Sequence, residues 1–202
     1  MEKFSKFNDP FTGINPFVQG KLRSYSIFKC LIFCPIYLLS KLHPIFFKLL
    51  FSIKISGKIN QQPKTMICNS ASTFDIPILK YILGIKNFYF LRCGNFYDKN
   101  QFLIKRITKP CIVFVEGTST NNKSILNYNC NFKIDSVCCI KYTEVYCYGS
   151  YIRYLASLLS NENKIEINFK QTQDPKDLIK ISNLKQVKFT YKDKEEFNKL
   201  LK

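Results

Sequence analysis

Residues 69–75 read Asn-Ser-Ala-Ser-Thr-Phe-Asp, and residues 115–121 read Val-Glu-Gly-Thr-Ser-Thr-Asn. Each holds one carboxylate, Asp75 or Glu116, among hydroxyl side chains. Ser70, Thr118 and Ser119 offer hydroxyls, and Gly117 allows a tight turn. Chemistry at a hydroxyl needs three things: a base that removes its proton, an orienter that holds the base, and donors for a developing oxyanion. Taken singly, the two acids also fit plainer roles. Asp75 ahead of Ile76-Pro77 suits a helix cap, and Glu116-Gly117 suits a turn at a strand end.

Such a site needs both corners at one edge of a sheet. Met66-Ile67-Cys68 precedes the first corner, and Ile112-Val113-Phe114-Val115 runs into the second. Each reads as a strand that ends in a polar turn. Strands are predicted at 65–69, 88–92, 111–115, 137–142, 144–148 and 164–169. Helices are predicted at 76–83, 102–108 and 150–159. The order argues an α/β domain whose mostly parallel sheet is flanked by helices. Asp174-Pro175 predicts a helix start, and 191–202 predicts a polar terminal helix. Residues 1–23 read as irregular, with Asp9-Pro10, Gly13, Asn15-Pro16 and Gly20 as breakers. Residues 24–57 are the most lipid-like part. Pro35 and Pro44 break a helical pattern there, and Lys29, Lys41, His43 and Lys48 interrupt it. The uninterrupted pieces fall short of the roughly 20 apolar residues of a spanning helix. Two short interfacial helices, or a shallow re-entrant hairpin, are expected instead, attached to a membrane. The predicted organisation is 1–23 irregular, 24–57 membrane-associated, 58–170 α/β domain and 171–202 polar extension.

A hydrophobic content of 46% is enough for a core, and the formal charge is +17. Nucleic acid, an anionic membrane surface or an anionic substrate could answer that charge. It is spread along the chain, and no run of five or six Lys/Arg forms a nucleic-acid arm. Nine cysteines show no Cys-x-x-Cys pair, and His43 is the only histidine. Buried thiols and no metal site are expected, in a reducing compartment.

The two corners resemble the signature blocks of the glycerophospholipid acyltransferase family, nearest its lysophosphatidylcholine acyltransferase type. Asn15-Pro16-Phe17 ahead of a Pro-centred apolar segment is similar to the entry of that type. Glu116-Gly117-Thr118-Ser119-Thr120-Asn121 is similar to its second block, and 67–79 to its first. The likeness covers about 15–170. It implies a glycerol-phosphate-acyltransferase-like α/β fold. It also implies an acyl-CoA-dependent transferase of phospholipid metabolism, placed at the cytosolic face of the endoplasmic reticulum. Its partners would be membrane lipid, lysophospholipid and acyl-CoA as co-substrate, with no cofactor. Ser70 and Asp75 would hold the catalytic block. Glu116, Gly117, Thr118 and Ser119 would form the acceptor site, with Lys123 and Arg92 or Arg106 meeting phosphate.

This chain departs from the pattern at its centre. Ser70 stands where the family has its basic His, and a hydroxyl has no accessible pKa near neutrality. From Asp75 to Glu116 the chain advances 41 positions, fewer than the family's usual interval with its Arg-bearing block. Val137-Cys138-Cys139-Ile140 replaces the usual Pro-rich strand. A catalytically weakened or dead descendant is therefore expected beside an active enzyme. The alternative from another class is a basic protein that binds RNA, a ribosome or another acidic partner.

Overall fold

The computed structural model describes residues 2–58 and 62–201. One eight-stranded sheet dominates, in the order β1-β9-β8-β2-β6-β3-β4-β5. Its strands are β1 (Phe51–Ser56), β2 (Thr65–Cys68), β3 (Asn87–Arg92), β4 (Asn95–Tyr97), β5 (Leu103–Ile104), β6 (Cys111–Phe114), β8 (Ser136–Tyr142) and β9 (Asn163–Gln171). A two-stranded ladder pairs β7 (Ser124–Ile125) with β10 (Lys185–Gln186). The helices are α1 (Ile27–Leu42), α2 (Phe47–Leu50), α3 (Asp75–Leu83), α4 (Tyr151–Ser160), α5 (Asp177–Ser182) and α6 (Tyr191–Leu201).

The fold is α/β, with a mixed sheet that is parallel at its centre. The four strands β8, β2, β6 and β3 run parallel, and antiparallel pairs lie outside them. Central strands buried on both faces read as continuous apolar runs. Accordingly, β2 and β6 are buried at every residue. Alternate side chains feed two cores. Met66, Cys68, Ile112, Phe114, Cys138 and Ile140 face one side, covered by α1, α3 and α4. Ile67, Val113, Val115, Val137 and Cys139 face the other, covered by Leu178 of α5 and Ile134. The buried cysteines act as small apolar side chains, and burial raises the Cys68 and Cys139 thiols.

Several elements differ from the sequence expectation. Residues 51–56 form a strand, although the apolar run before them suggested one membrane-associated helical segment through 57. Phe-Ser-Ile-Lys-Ile-Ser alternates with period two, and β1 pairs in parallel with β9, Ile53 against Ile165 and Ile55 against Ile167. Pro35 does not end α1, which runs 16 residues through it. Residues 102–108 form the two-residue β5 and turns, not a helix. Residues 144–148 are irregular, because the sheet edge they would join is occupied by β9. Asp174-Pro175 lies in a turn ahead of α5, where the Lys176 N–H donates to Asp174 Oδ1 at 2.9 Å. The terminal helix matches its expected span through Leu201, and Lys202 lies outside the described residues.

The two ends of the chain share a third core. Phe7 and Phe17 pack with Leu126, Val187, Phe189 and Phe197. Phe7 meets Phe197 edge-on at 5.3 Å between ring centres. Residues 171–201 are thus built into the body of the fold, against the N-terminal segment.

One helix keeps a second apolar face. Cys30, Phe33, Ile36 and Tyr37 of α1 pack inward. Ile27, Phe28, Leu31, Ile32, Leu38 and Leu39 point outward, and Phe28 is 72% exposed. Among the described residues, no helix is long and apolar enough to cross a membrane.

Candidate functional site at the carboxyl ends of β2 and β6

Strands β2 and β6 are neighbours, so their polar ends lie side by side. The Val115 N–H donates to Cys68 O at 3.1 Å, which carries the pairing one step beyond the strands. The chain then parts into two turns. One leads through 69–74 into α3, whose first residue is Asp75. The other is 115–121.

The structure brings Ser70, Asp75 and Glu116 together around one loop. Glu116 Oε2 accepts the Ser70 N–H at 2.8 Å, and Oε1 accepts the Leu126 N–H at 2.8 Å. Asp75 Oδ2 accepts the Ala71 and Ser72 N–H groups at 2.8 and 3.0 Å. Its Oδ1 accepts the Tyr142 hydroxyl at 2.7 Å. The Ser70 carbonyl accepts the Thr120 N–H at 3.2 Å. Asn69 ties the same loop to β8, donating to Ile140 O at 2.9 Å and accepting the Ile140 N–H at 2.8 Å.

Both carboxyls are almost wholly buried, Asp75 at 1% and Glu116 at 3% exposure. Removal from water disfavours the charged form. Burial pushes Asp75 up to about 6 against the lowering effect of its hydrogen bonds. Burial, with Asp75 nearby, pushes Glu116 up to about 8. The Tyr142 hydroxyl rises well above its ordinary value, through burial and the adjacent Asp75. Phe51, Phe74 and Tyr142 form a ring layer beside Asp75, with Phe51 and Phe74 centres 5.4 Å apart.

Gly117 makes the second turn possible. Its φ is +64°, and a Cβ there would stand 2.4 Å from Leu91 O. Only glycine tolerates both the close approach and the left-handed backbone. Beyond it, Thr118 and Ser119 are half-buried, and their peptide N–H groups take no hydrogen bond among the described residues. Adjacent N–H groups after a left-handed residue make a concave anion cradle.

The basic residues divide. Arg92 reaches this corner from β3, with Nε donating to Gly117 O at 2.8 Å. Its guanidinium stacks by Tyr97 and Tyr191, at 5.7 and 5.6 Å from the ring centres, and Nη1 also bonds Gln101. Lys123 is exposed on the far side of Asn121, in a cleft of about 600 Å³ with Asn15 and Tyr148. Arg106 precedes β6 and shares a cleft with Lys109 and Lys133 at the amino end of the sheet, away from Glu116. Arg92 therefore stands beside the turn that carries Thr118 and Ser119, and Arg106 does not. His43 sits exposed at the carboxyl end of α1, its Nδ1 accepting the Ile45 N–H at 3.3 Å, and no bond joins it to the corner.

A cleft of about 300 Å³ opens beside the second turn, lined by Leu91, Val115, Glu116, Tyr128, Tyr191 and Lys192, among others. Sequence reasoning did not place Tyr191 and Lys192 here, because nothing in a polar terminal helix marks its start as a site wall. Nor did it single out Tyr142, which lies 67 residues from its partner Asp75. Asn69 and Asn121 did carry a signal, as polar residues at strand ends. Asn121 clamps the first loop of the chain, donating to Asn15 O at 2.7 Å and Val18 O at 3.1 Å. The Asn15-Pro16-Phe17 segment is thereby stitched to 116–121.

Chemically the corner holds donors and neutralisable acids but no imidazole. Among the described residues, no group of His, Cys, Asp and Glu is placed to hold a metal ion. Comparisons of the chain with protein-family models, with curated proteins and with solved structures find no match.

Proposed function

We propose that this chain is a membrane-surface protein of the acyl-CoA-dependent lysophospholipid acyltransferase type, working in phospholipid metabolism, whose acceptor corner persists and whose transfer step is weakened or lost. The observation that supports it is the meeting of the two corners, with Glu116 holding the Ser70 N–H. Thr118 and Ser119 supply the N–H pair for an acceptor phosphate, beside the Arg92 guanidinium. Ser70 supplies no proton acceptor. The missing base lowers the rate by ~10²–10⁴-fold, so the protein binds lysophospholipid and acyl-CoA with little turnover.

In this reading α1 lies in the plane of a cytosolic leaflet, as at the endoplasmic reticulum. Its outward face is apolar, and a buried apolar stripe is what holds an interfacial helix. Extraction tests the attachment. The protein stays with membranes in ~1 M salt, where the screening length is only about 3 Å. Leu31→Asp with Leu38→Asp moves it to the supernatant. Recovery with ribosomes, lost in the same salt, contradicts the reading and favours an electrostatic nucleic-acid partner.

A further inference from the structure

Resting on that membrane attachment, we infer that the cleft between α1, α2 and α4 seats the phosphate of one anionic phospholipid from the leaflet beneath α1. This cleft is separate from the Ser70–Glu116 corner. It measures about 610 Å³ and has an apolar floor of Phe33, Leu50, Phe51, Leu158 and Leu159. Lys29 of α1 and Lys48 of α2 both line it.

Helical spacing sets Lys29 in one row with Phe33 and Ile36, on the packed side of α1, where it lines the cleft and stays exposed. Lys48 precedes Leu49, which is 61% exposed, and holds its ammonium 5.5 Å from the centre of the Tyr81 ring. Both lysines line the cleft next to residues of the exposed apolar surface, Phe28 on α1 and Leu49 on α2, so a headgroup entering from that surface meets them. Among the described residues, no carboxylate pairs with either lysine. Glu162 lines the cleft too, on the α4–β9 side, and its repulsion directs an anion toward the lysines. Beside Ser52, which also lines the cleft, the other polar lining groups are engaged. Ser160 Oγ bonds Ser26, Asn161 bonds Ser24 O, and Asn163 bonds Leu158 O.

The charge on the α1, α2 and β1 wall of the cleft is one-signed in the sequence itself. The chain has 14 Asp and Glu residues, yet none falls between 10 and 74, where eight Lys and Arg occur. All of α1, α2 and β1 lie in that acid-free stretch. A predominantly basic patch beside an apolar face fits an anionic bilayer. A bare phosphate ion would leave the apolar floor unused, whereas a lipid fills it with its glycerol and first methylenes.

Flotation with vesicles tests the seat, using phosphatidylcholine alone or mixed with phosphatidylserine. Wild type prefers the mixed vesicles. Lys29→Gln with Lys48→Gln lowers partition onto them roughly thirtyfold, at about fivefold per basic residue near an anionic surface. Partition onto phosphatidylcholine alone stays unchanged, and circular dichroism checks the fold. Lys185→Gln with Lys188→Gln, exposed at β10, serves as the control and retains the preference. Equal losses in the two double variants would mean diffuse attraction and overturn the seat. So would equal wild-type binding to both vesicles. Release from the mixed vesicles by inorganic phosphate, against chloride at matched ionic strength, would assign the lysines to free phosphate instead of lipid. Failure of wild type to float with either vesicle would remove the membrane attachment itself.

Discussion

Ser70→His raises the rate of acyl transfer from acyl-CoA to lysophospholipid by ~10²–10⁴-fold over wild type, the range that a positioned general base contributes. The backbone of residue 70 is fixed independently of its side chain. Its N–H goes to Glu116, and its carbonyl takes the Thr120 N–H. An imidazole introduced there stands beside Asp75, the orienting group the reaction requires. That group must be ionised to orient and stabilise the imidazolium. Asp75 is pushed up to about 6 by burial, so the variant's rate falls as the pH drops through about 6, where Asp75 takes up its proton. Chromatography of the acylated product is the suitable readout. The exposed thiols of Cys34 and Cys93 would react with a thiol reagent used to follow released CoA. A variant that folds, binds both substrates and shows no gain would mean that the groove has changed along with the base.

Glu116→Ala destabilises the protein by about 4 kcal/mol in urea unfolding at pH 6. The carboxyl is the partner of two buried N–H groups, Ser70 and Leu126. Each orphaned buried donor costs roughly 1–3 kcal/mol, and the missing side chain leaves a cavity besides. The loss also depends on pH in a definite direction. Glu116 is raised from 4.5 to about 8 in the folded state, so the native protein binds the proton more tightly than the unfolded chain. The stability linked to that proton is fully present below about 4.5 and is lost as pH rises through about 8. The gap between wild type and Glu116→Ala therefore narrows from pH 5 to pH 8. Asp75, raised from 3.8 to about 6, remains in both proteins and cancels from that gap to first order. A gap that widens with pH would mean the folded state holds Glu116 ionised.

The sheet ends were legible because the cues were local. Met66-Ile67-Cys68 and Cys111–Phe114 are apolar runs that stop at polar residues, and a buried parallel strand reads that way. The clean alternation of Lys-Ile-Glu-Ile-Asn-Phe likewise announced β9. The same alternation in 51–56 was masked by the apolar run before it, since period and hydrophobicity compete when a strand follows a helix directly. Pro35 misled for a different reason. It is exposed, and inward contacts through Cys30, Phe33 and Tyr37 hold α1 on either side of it. For the site, spacing conveyed that Asp75 and Glu116 sit at adjacent strand ends. It could not convey that both accept buried backbone N–H groups, or that Tyr142 and Arg92 close in from β8 and β3. Those contacts join residues that are distant in sequence and depend on strand order, which no local pattern encodes.

The most direct test is amide hydrogen exchange on the wild-type protein, with and without a lysophospholipid held below its micellar concentration. Bound acceptor slows exchange at Thr118 and Ser119, whose N–H groups have no partner among the described residues, and leaves the amino end of the sheet around Arg106 unchanged. Slowing confined to α1, with residues 115–121 exchanging at their free rate, would contradict the account.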